Sequence, residues 1–155
     1  MPIYYFDTSA ALKHYHSEKG TDEVRRIVHD SASSCILSRL TLTEMQRAFA
    51  RRARQREITG NGLKQLRGIL YTDLQQHHFR LIRVQEFHHH DAVRLFVKYW
   101  QQTDVPLLRT ADALHLAVAL RLRDRESLDY FVSADGNLCQ IAEAEQLSVI
   151  NPEAP

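Results

Sequence analysis

Short apolar runs alternate along the chain with longer stretches in which apolar residues recur every three or four positions. The first kind reads as buried strand and the second as amphipathic helix. Residues 3–6 form a β-prone run that stops at Asp7, and Asp7-Thr8-Ser9 offers cap chemistry for a helix through about Tyr15. Gly20 breaks that helix, and Thr21 opens another with Val24, Ile27 and Val28 on its apolar face. Residues 35–37 make a second strand. A long helix follows from about Thr41 to Arg56, with Leu42, Met45, Phe49 and Ala53 at helical spacing and the pair Gly60 and Gly62 ending the segment. Further helices are expected at about 63–76 and at 88–101, the latter with Val93, Phe96, Val97 and Trp100 at helical spacing; a strand lies between them at 81–84. Pro106 punctuates before an almost wholly apolar helix that starts at Thr110 and should be buried on most sides. Strand 130–132, stopping near Asp135, a short helix at 138–144 and strand 148–150 complete the pattern.

Strands separated by helices predict an α/β fold: a central, mainly parallel sheet of about five short strands flanked by helices. The 155 residues suit a single domain over 1–155, and no repeat, low-complexity tract or linker divides them. A 44% hydrophobic and 25% charged composition is ordinary for a globular chain. No apolar run approaches a membrane span and no signal peptide is visible. Cys35 and Cys139 sit in apolar segments without metal-ligand spacing, as buried free thiols do, which suits a reducing, cytoplasmic setting.

A net charge of only +1 sets up no global field for nucleic acid. The basic residues are uneven, however. Arg47, Arg51, Arg52, Arg54 and Arg56 crowd one stretch with no acid between Glu44 and Glu57. Such a run is commonly a solvated helix face, yet the guanidinium fork also suits phosphate. Arg47 and Arg51 share a helix face with Glu44.

Four acids stand where a parallel sheet presents its site, at the carboxyl ends of strands or the starts of helices. Asp7 and Asp135 follow predicted strands, Glu44 lies near the start of the long third helix, and Asp112 opens the apolar helix. Taken singly, each has a plain structural explanation. An Asp after a strand is a favoured helix cap. Asp112 has Arg109 three residues earlier as a partner and a helix dipole to sit on, and Glu44 can pair with Arg47. Taken together they form a convergent set of carboxylates. Such a set repels itself unless cations neutralise it. All-oxygen ligands suit hard ions such as Mg²⁺ or Mn²⁺, which activate water and stabilise a phosphoryl transition state.

The chain resembles the PIN domain and, within that superfamily, the VapC-type ribonuclease toxins of bacterial toxin–antitoxin pairs. The residues that carry the resemblance are Tyr5-Phe6-Asp7-Thr8-Ser9-Ala10, Leu42-Thr43-Glu44-Met45, Arg109-Thr110-Ala111-Asp112-Ala113-Leu114 and Val132-Ser133-Ala134-Asp135-Gly136-Asn137-Leu138. Order and spacing match from Ile3 to Asn151. The resemblance implies a PIN-like fold and metal-dependent hydrolysis of RNA. In it Asp7, Glu44 and Asp112 would ligate Mg²⁺ or Mn²⁺, with Asp135 completing the acidic pocket. Ser9 and Ser133 would hydrogen-bond a ligand carboxylate or a water, and Asn137 would act similarly. Arg47 and Arg51 would meet RNA or a protein partner. The resemblance further implies a homodimer held inactive by a cognate antitoxin.

Other readings remain open. A phosphatase with a strand-terminal Asp nucleophile wants a second Asp where Ser9 stands. A PIN-like fold that only binds RNA or a partner protein is a second alternative, against which the four intact acids argue, and a PIN nuclease of RNA maturation is a third. The His88-His89-His90 triplet reads as an exposed helix start, His77 and His78 as surface or pairing residues, and His115 as a satisfied core histidine. Tyr4, Tyr5 and Trp100 read as core.

Overall fold

The computed structural model describes residues 1–126 and 128–154. Its elements run β1 (Ile3–Phe6), α1 (Thr8–Tyr15), α2 (Thr21–His29), β2 (Ser34–Ser38), α3 (Arg39–Arg54), α4 (Gly60–Gln75), β3 (Arg80–Ile82), α5 (Glu86–Tyr99), α6 (Thr110–Glu126), β4 (Tyr130–Val132), α7 (Gly136–Ala144) and β5 (Val149–Ile150). The five strands pair in the order β3-β2-β1-β4-β5, every pair parallel. From β1 the chain builds outward through β2 and β3, then returns to add β4 and β5 on the other side. The reversal falls between β1 and β4. In an open parallel sheet, the crevice at the carboxyl ends of two such strands is where ligands bind. Asp7 leaves β1 and Asp135 closely follows β4, so both acids stand at that crevice. The Asp7 amide also donates to the Val132 carbonyl at 3.0 Å, which ties the two strand ends together.

Strand alternation divides the core in two. Tyr5, Ile36 and Phe131 face the layer of α5, α6 and α7. Tyr4, Phe6, Cys35, Leu37 and Val132 face α1 to α4. Covered on both faces, the strands need continuous apolar runs, which is what the sequence supplies. Residues 113–119 of α6 are all buried, His115 included, in agreement with the wholly apolar pattern. Both cysteines are buried and free, and burial pushes their thiols up, to about 12 for Cys35 and about 11 for Cys139.

Several boundaries shift for local reasons. Ser38 caps α3 by accepting from the Thr41 amide, so the helix begins at Arg39 rather than near Thr41. Thr59 does the same for Gly62, so Gly60 and Gly62 lie inside the first turn of α4 instead of separating two segments. Two side chains also depart from expectation. Trp100 is 65% exposed at the end of α5, not core, and Val93 and Val97 are exposed with it. The helix carries two apolar faces, and the face that packs is Ala92, Leu95 and Tyr99, continued by His88. His88 is buried rather than an exposed helix start, and its Nδ1 accepts from the Gln85 amide at 2.9 Å; His89 and His90 are exposed as expected.

A polar joint fixes α1, the helix that carries Asp7 at its head. Buried Asp73 of α4 accepts the Tyr15 hydroxyl at 2.8 Å and lies 3.3 Å from His14 and 3.2 Å from His78. His78 is therefore a pairing residue, whereas His77 is exposed. Tyr15 and His16 pack against Phe49.

Candidate metal centre

Asp7 is only 3% exposed and serves as the N-cap of α1, with Oδ1 accepting from the Ala10 amide at 2.9 Å. The Ser9 hydroxyl lies 2.8 Å from both carboxylate oxygens, and the Ser133 hydroxyl donates to Oδ2 at 2.8 Å. The two serines are held in turn by the strand-end backbone: Ala134 N–H donates to Ser9 and Asp135 N–H to Ser133. Burial pushes the Asp7 carboxyl above its ordinary range, although nearby His115 and these donors pull it the other way.

Glu44 enters from the second turn of α3. His115 Nε2 lies 2.8 Å from its Oε2, Thr8 donates to the same oxygen, and the far nitrogen of His115 meets the Tyr5 hydroxyl at 2.8 Å. Nε2–H donates to the Glu44 carboxylate, which has no proton to give, and Nδ1 pairs with the Tyr5 hydroxyl. Partial burial pushes Glu44 up, but hydrogen bonds from His115 and Thr8 and nearby positive charge outweigh it and hold the carboxyl below its usual value.

Asp112 lies in the first turn of α6, beside Arg109. The guanidinium donates to Asp112 from Nε at 2.8 Å and to Asp135 from Nη2 at 2.9 Å, bridging the two acids. Asp135 caps α7, accepting from the Asn137 and Leu138 amides. Asn137 itself is exposed and reaches this carboxylate through its backbone.

Asp7, Glu44 and Asp112 thus line one cleft of about 430 Å³, together with Thr8, Ser9, Arg47, Arg51, Arg109 and His115. Asp135 stands at its edge, joined to it through Arg109. His115 is the satisfied core histidine expected, 2% exposed with both ring nitrogens paired, and it also reaches the cleft; the contacts of Thr8 with Glu44 and of Arg109 with Asp135 are not visible in the sequence. The signal for His115 was its place one helical turn from Asp112, where a polar side chain interrupts an otherwise apolar run.

The donor set fits a hard divalent cation, being all carboxylate oxygen on separate elements around one cleft. Among the described residues, no three His, Cys, Asp or Glu side chains are already arranged around a single point. The reason is visible in the contacts: every acid is turned toward an internal donor, namely the serines, His115 and Thr8, or Arg109.

A model of the PIN domain family matches residues 4–144, and the chain belongs to that family. Among solved structures it is similar to VapBC2 from Rickettsia felis bound to a DNA fragment from their promoter, at 13% identity and a TM-score of 0.65, covering 96% of this chain and 97% of that one. It is also similar to VapC20 of Mycobacterium tuberculosis, a sarcin-ricin loop cleaving toxin, at 14% identity and a TM-score of 0.64, with coverage of 96% and 97%. FitAcB from Neisseria gonorrhoeae follows at 16% identity and a TM-score of 0.61, again covering 96% and 97%. The comparison with curated proteins finds no match.

Proposed function

We propose that the chain is a divalent-cation-dependent endoribonuclease and acts as the toxin of a toxin–antitoxin pair. The observation that carries this reading is the convergence of Asp7, Glu44 and Asp112, from three different elements, in one cleft at the sheet's reversal point, with Arg47 and Arg51 on its wall. The solved structures it resembles include a sarcin-ricin loop cleaving toxin and a toxin–antitoxin complex from Klebsiella pneumoniae, which supports the toxin reading.

In this reading Asp7, Glu44, Asp112 and Asp135 hold Mg²⁺ or Mn²⁺. When bound, the ion supplies Lewis-acid stabilisation of phosphoryl oxygens and makes water nucleophilic near neutral pH. The chain's own part is positional. Ser9 and Ser133 fix both oxygens of Asp7, and His115 and Thr8 fix Glu44. Arg47 and Arg51 draw the RNA backbone into the cleft by charge, reading no sequence. The antitoxin would cover this cleft, and the active form would be a homodimer in the cytoplasm. No helix among the described residues is long and apolar enough to cross a membrane.

Induced expression in a bacterial host tests the toxin role. Growth arrest by the parent chain and normal growth with equally abundant Asp112→Asn is the expected result. Normal growth with both, from protein shown to be folded, would count against a toxin.

A further inference from the structure

We propose that Arg109 is a displaceable internal counter-cation, occupying the acidic cleft in the metal-free protein and yielding its carboxylates when a divalent ion binds. The proposal rests on the cation-dependent reading above and deepens it.

A single guanidinium makes three contacts with two acids on separate helices: Nε to Asp112 at 2.8 Å, Nη2 to Asp112 at 3.4 Å and Nη2 to Asp135 at 2.9 Å. Asp112, Asp135 and Glu44 all favour its charged form. A planar fork can span two carboxylates in this way, whereas an ammonium is a point charge. Among the described residues, Arg109 is the one that bridges two of these acids; Arg47 and Arg51 line the same cleft without doing so.

The arrangement is also built to open. The Arg109 side chain is 74% exposed while Asp112 and Asp135 are 15% and 24% exposed. Swinging the guanidinium outward uncovers no core and breaks only ion pairs of the solvent-exposed kind, which are individually weak. What it leaves behind is a set of half-buried acids with uncompensated charge, the environment that favours a divalent cation. Arg109 thereby relieves carboxylate repulsion when no metal is present, and it weakens apparent metal affinity by the fraction of molecules in which the acids are engaged.

Mn²⁺ titration of the full chain by calorimetry tests this, with melting in EDTA measured alongside. Arg109→Gln should bind Mn²⁺ about three- to tenfold more tightly than the parent, the scale of losing one or two exposed ion pairs. It should melt lower than the parent in EDTA, with the difference closing as Mn²⁺ is added. Arg109→Lys, which keeps the charge but not the fork, should tighten binding by less than Arg109→Gln. Arg47→Gln removes the same charge from the same cleft without breaking a bridge, and Asp7→Asn reports on the site itself. If Arg109→Gln changes affinity no more than Arg47→Gln, or weakens it, while Asp7→Asn abolishes binding, the counter-cation is overturned and the cation site stands. If the parent binds no Mn²⁺, or Asp7→Asn binds it equally well, the site falls and the counter-cation with it.

Discussion

His115 Nε2 lies 2.8 Å from Glu44 Oε2, while the opposite nitrogen of the ring holds the Tyr5 hydroxyl at 2.8 Å. One imidazole thus connects the fully buried centre of β1 to an acid of the cleft. Replacing His115 by Phe keeps the ring's bulk, removes one partner of the Tyr5 hydroxyl, which keeps Ser38 and Thr41, and leaves Thr8 as the remaining donor to Glu44. The expected cost is about 1–3 kcal/mol of stability, as for the loss of one buried hydrogen bond and one to a charged group. The accompanying loss of cleavage should be roughly 10- to 100-fold, as for groups that orient metal ligands. Urea unfolding reads the first, and cleavage rates at a temperature where the variant is folded read the second. Full activity in a folded variant would mean that Glu44 does not need His115 to orient it.

The raised pKa of buried Asp7 makes a signed prediction. A carboxyl whose folded pKa exceeds its unfolded value stabilises the fold fully below the unfolded value, about 3.9, and that contribution is lost as pH rises through the folded value. In EDTA, desolvation of the Asp7 carboxyl therefore works against folding increasingly as pH rises above the unfolded value. Asp7→Asn should melt higher than the parent at pH 7, and its advantage should shrink as pH falls toward 4. Paired melting curves across that range check it; a difference independent of pH would show that burial does not dominate this carboxyl.

Much of this was legible in the sequence because two periodicities and four acids carry it. Strands covered on both faces declare themselves as apolar runs, and an Asp just beyond a strand lies at the carboxyl-end rim of the sheet. The face of α5 was not legible. Val93, Val97 and Trp100 recur at helical spacing as convincingly as Ala92, Leu95 and Tyr99, and only tertiary packing chooses between them; the Tyr99 hydroxyl reaching Glu145 at 2.6 Å is part of that choice. Nor could the pattern show that His115 and Arg109 meet acids 71 and 26 residues away, since those contacts follow from which helices cover which end of the sheet. His88 was misplaced because a capping histidine has the same local spacing as an exposed one.

Gly20 supplies a test of the scaffold far from the chemistry. Its φ is +87°, a conformation that disfavours any Cβ, and a Cβ built there would lie 2.8 Å from the Pro152 carbonyl oxygen. Both strain and collision act, and the neighbour is backbone that cannot rotate away. Gly20→Ala should cost more than about 1 kcal/mol, beyond the usual penalty for left-handed backbone alone. Denaturant midpoints with unchanged slope would report it. A neutral or stabilised variant would mean that the C-terminal segment does not pack against the α1–α2 turn as described.

Asp7, Glu44 and Asp112 are proposed to form a cation-dependent site for cutting RNA. The most direct measurement incubates purified, antitoxin-free protein with total cellular RNA in Mg²⁺, in Mn²⁺ and in EDTA, beside Asp7→Asn and Asp112→Asn, and maps the new 5′ ends. Discrete cuts that require metal and vanish in both folded variants are the predicted result. No cuts with either metal, or cuts that persist in the variants at equal metal, would contradict the account and leave a PIN fold that binds without cleaving or cleaves from another site.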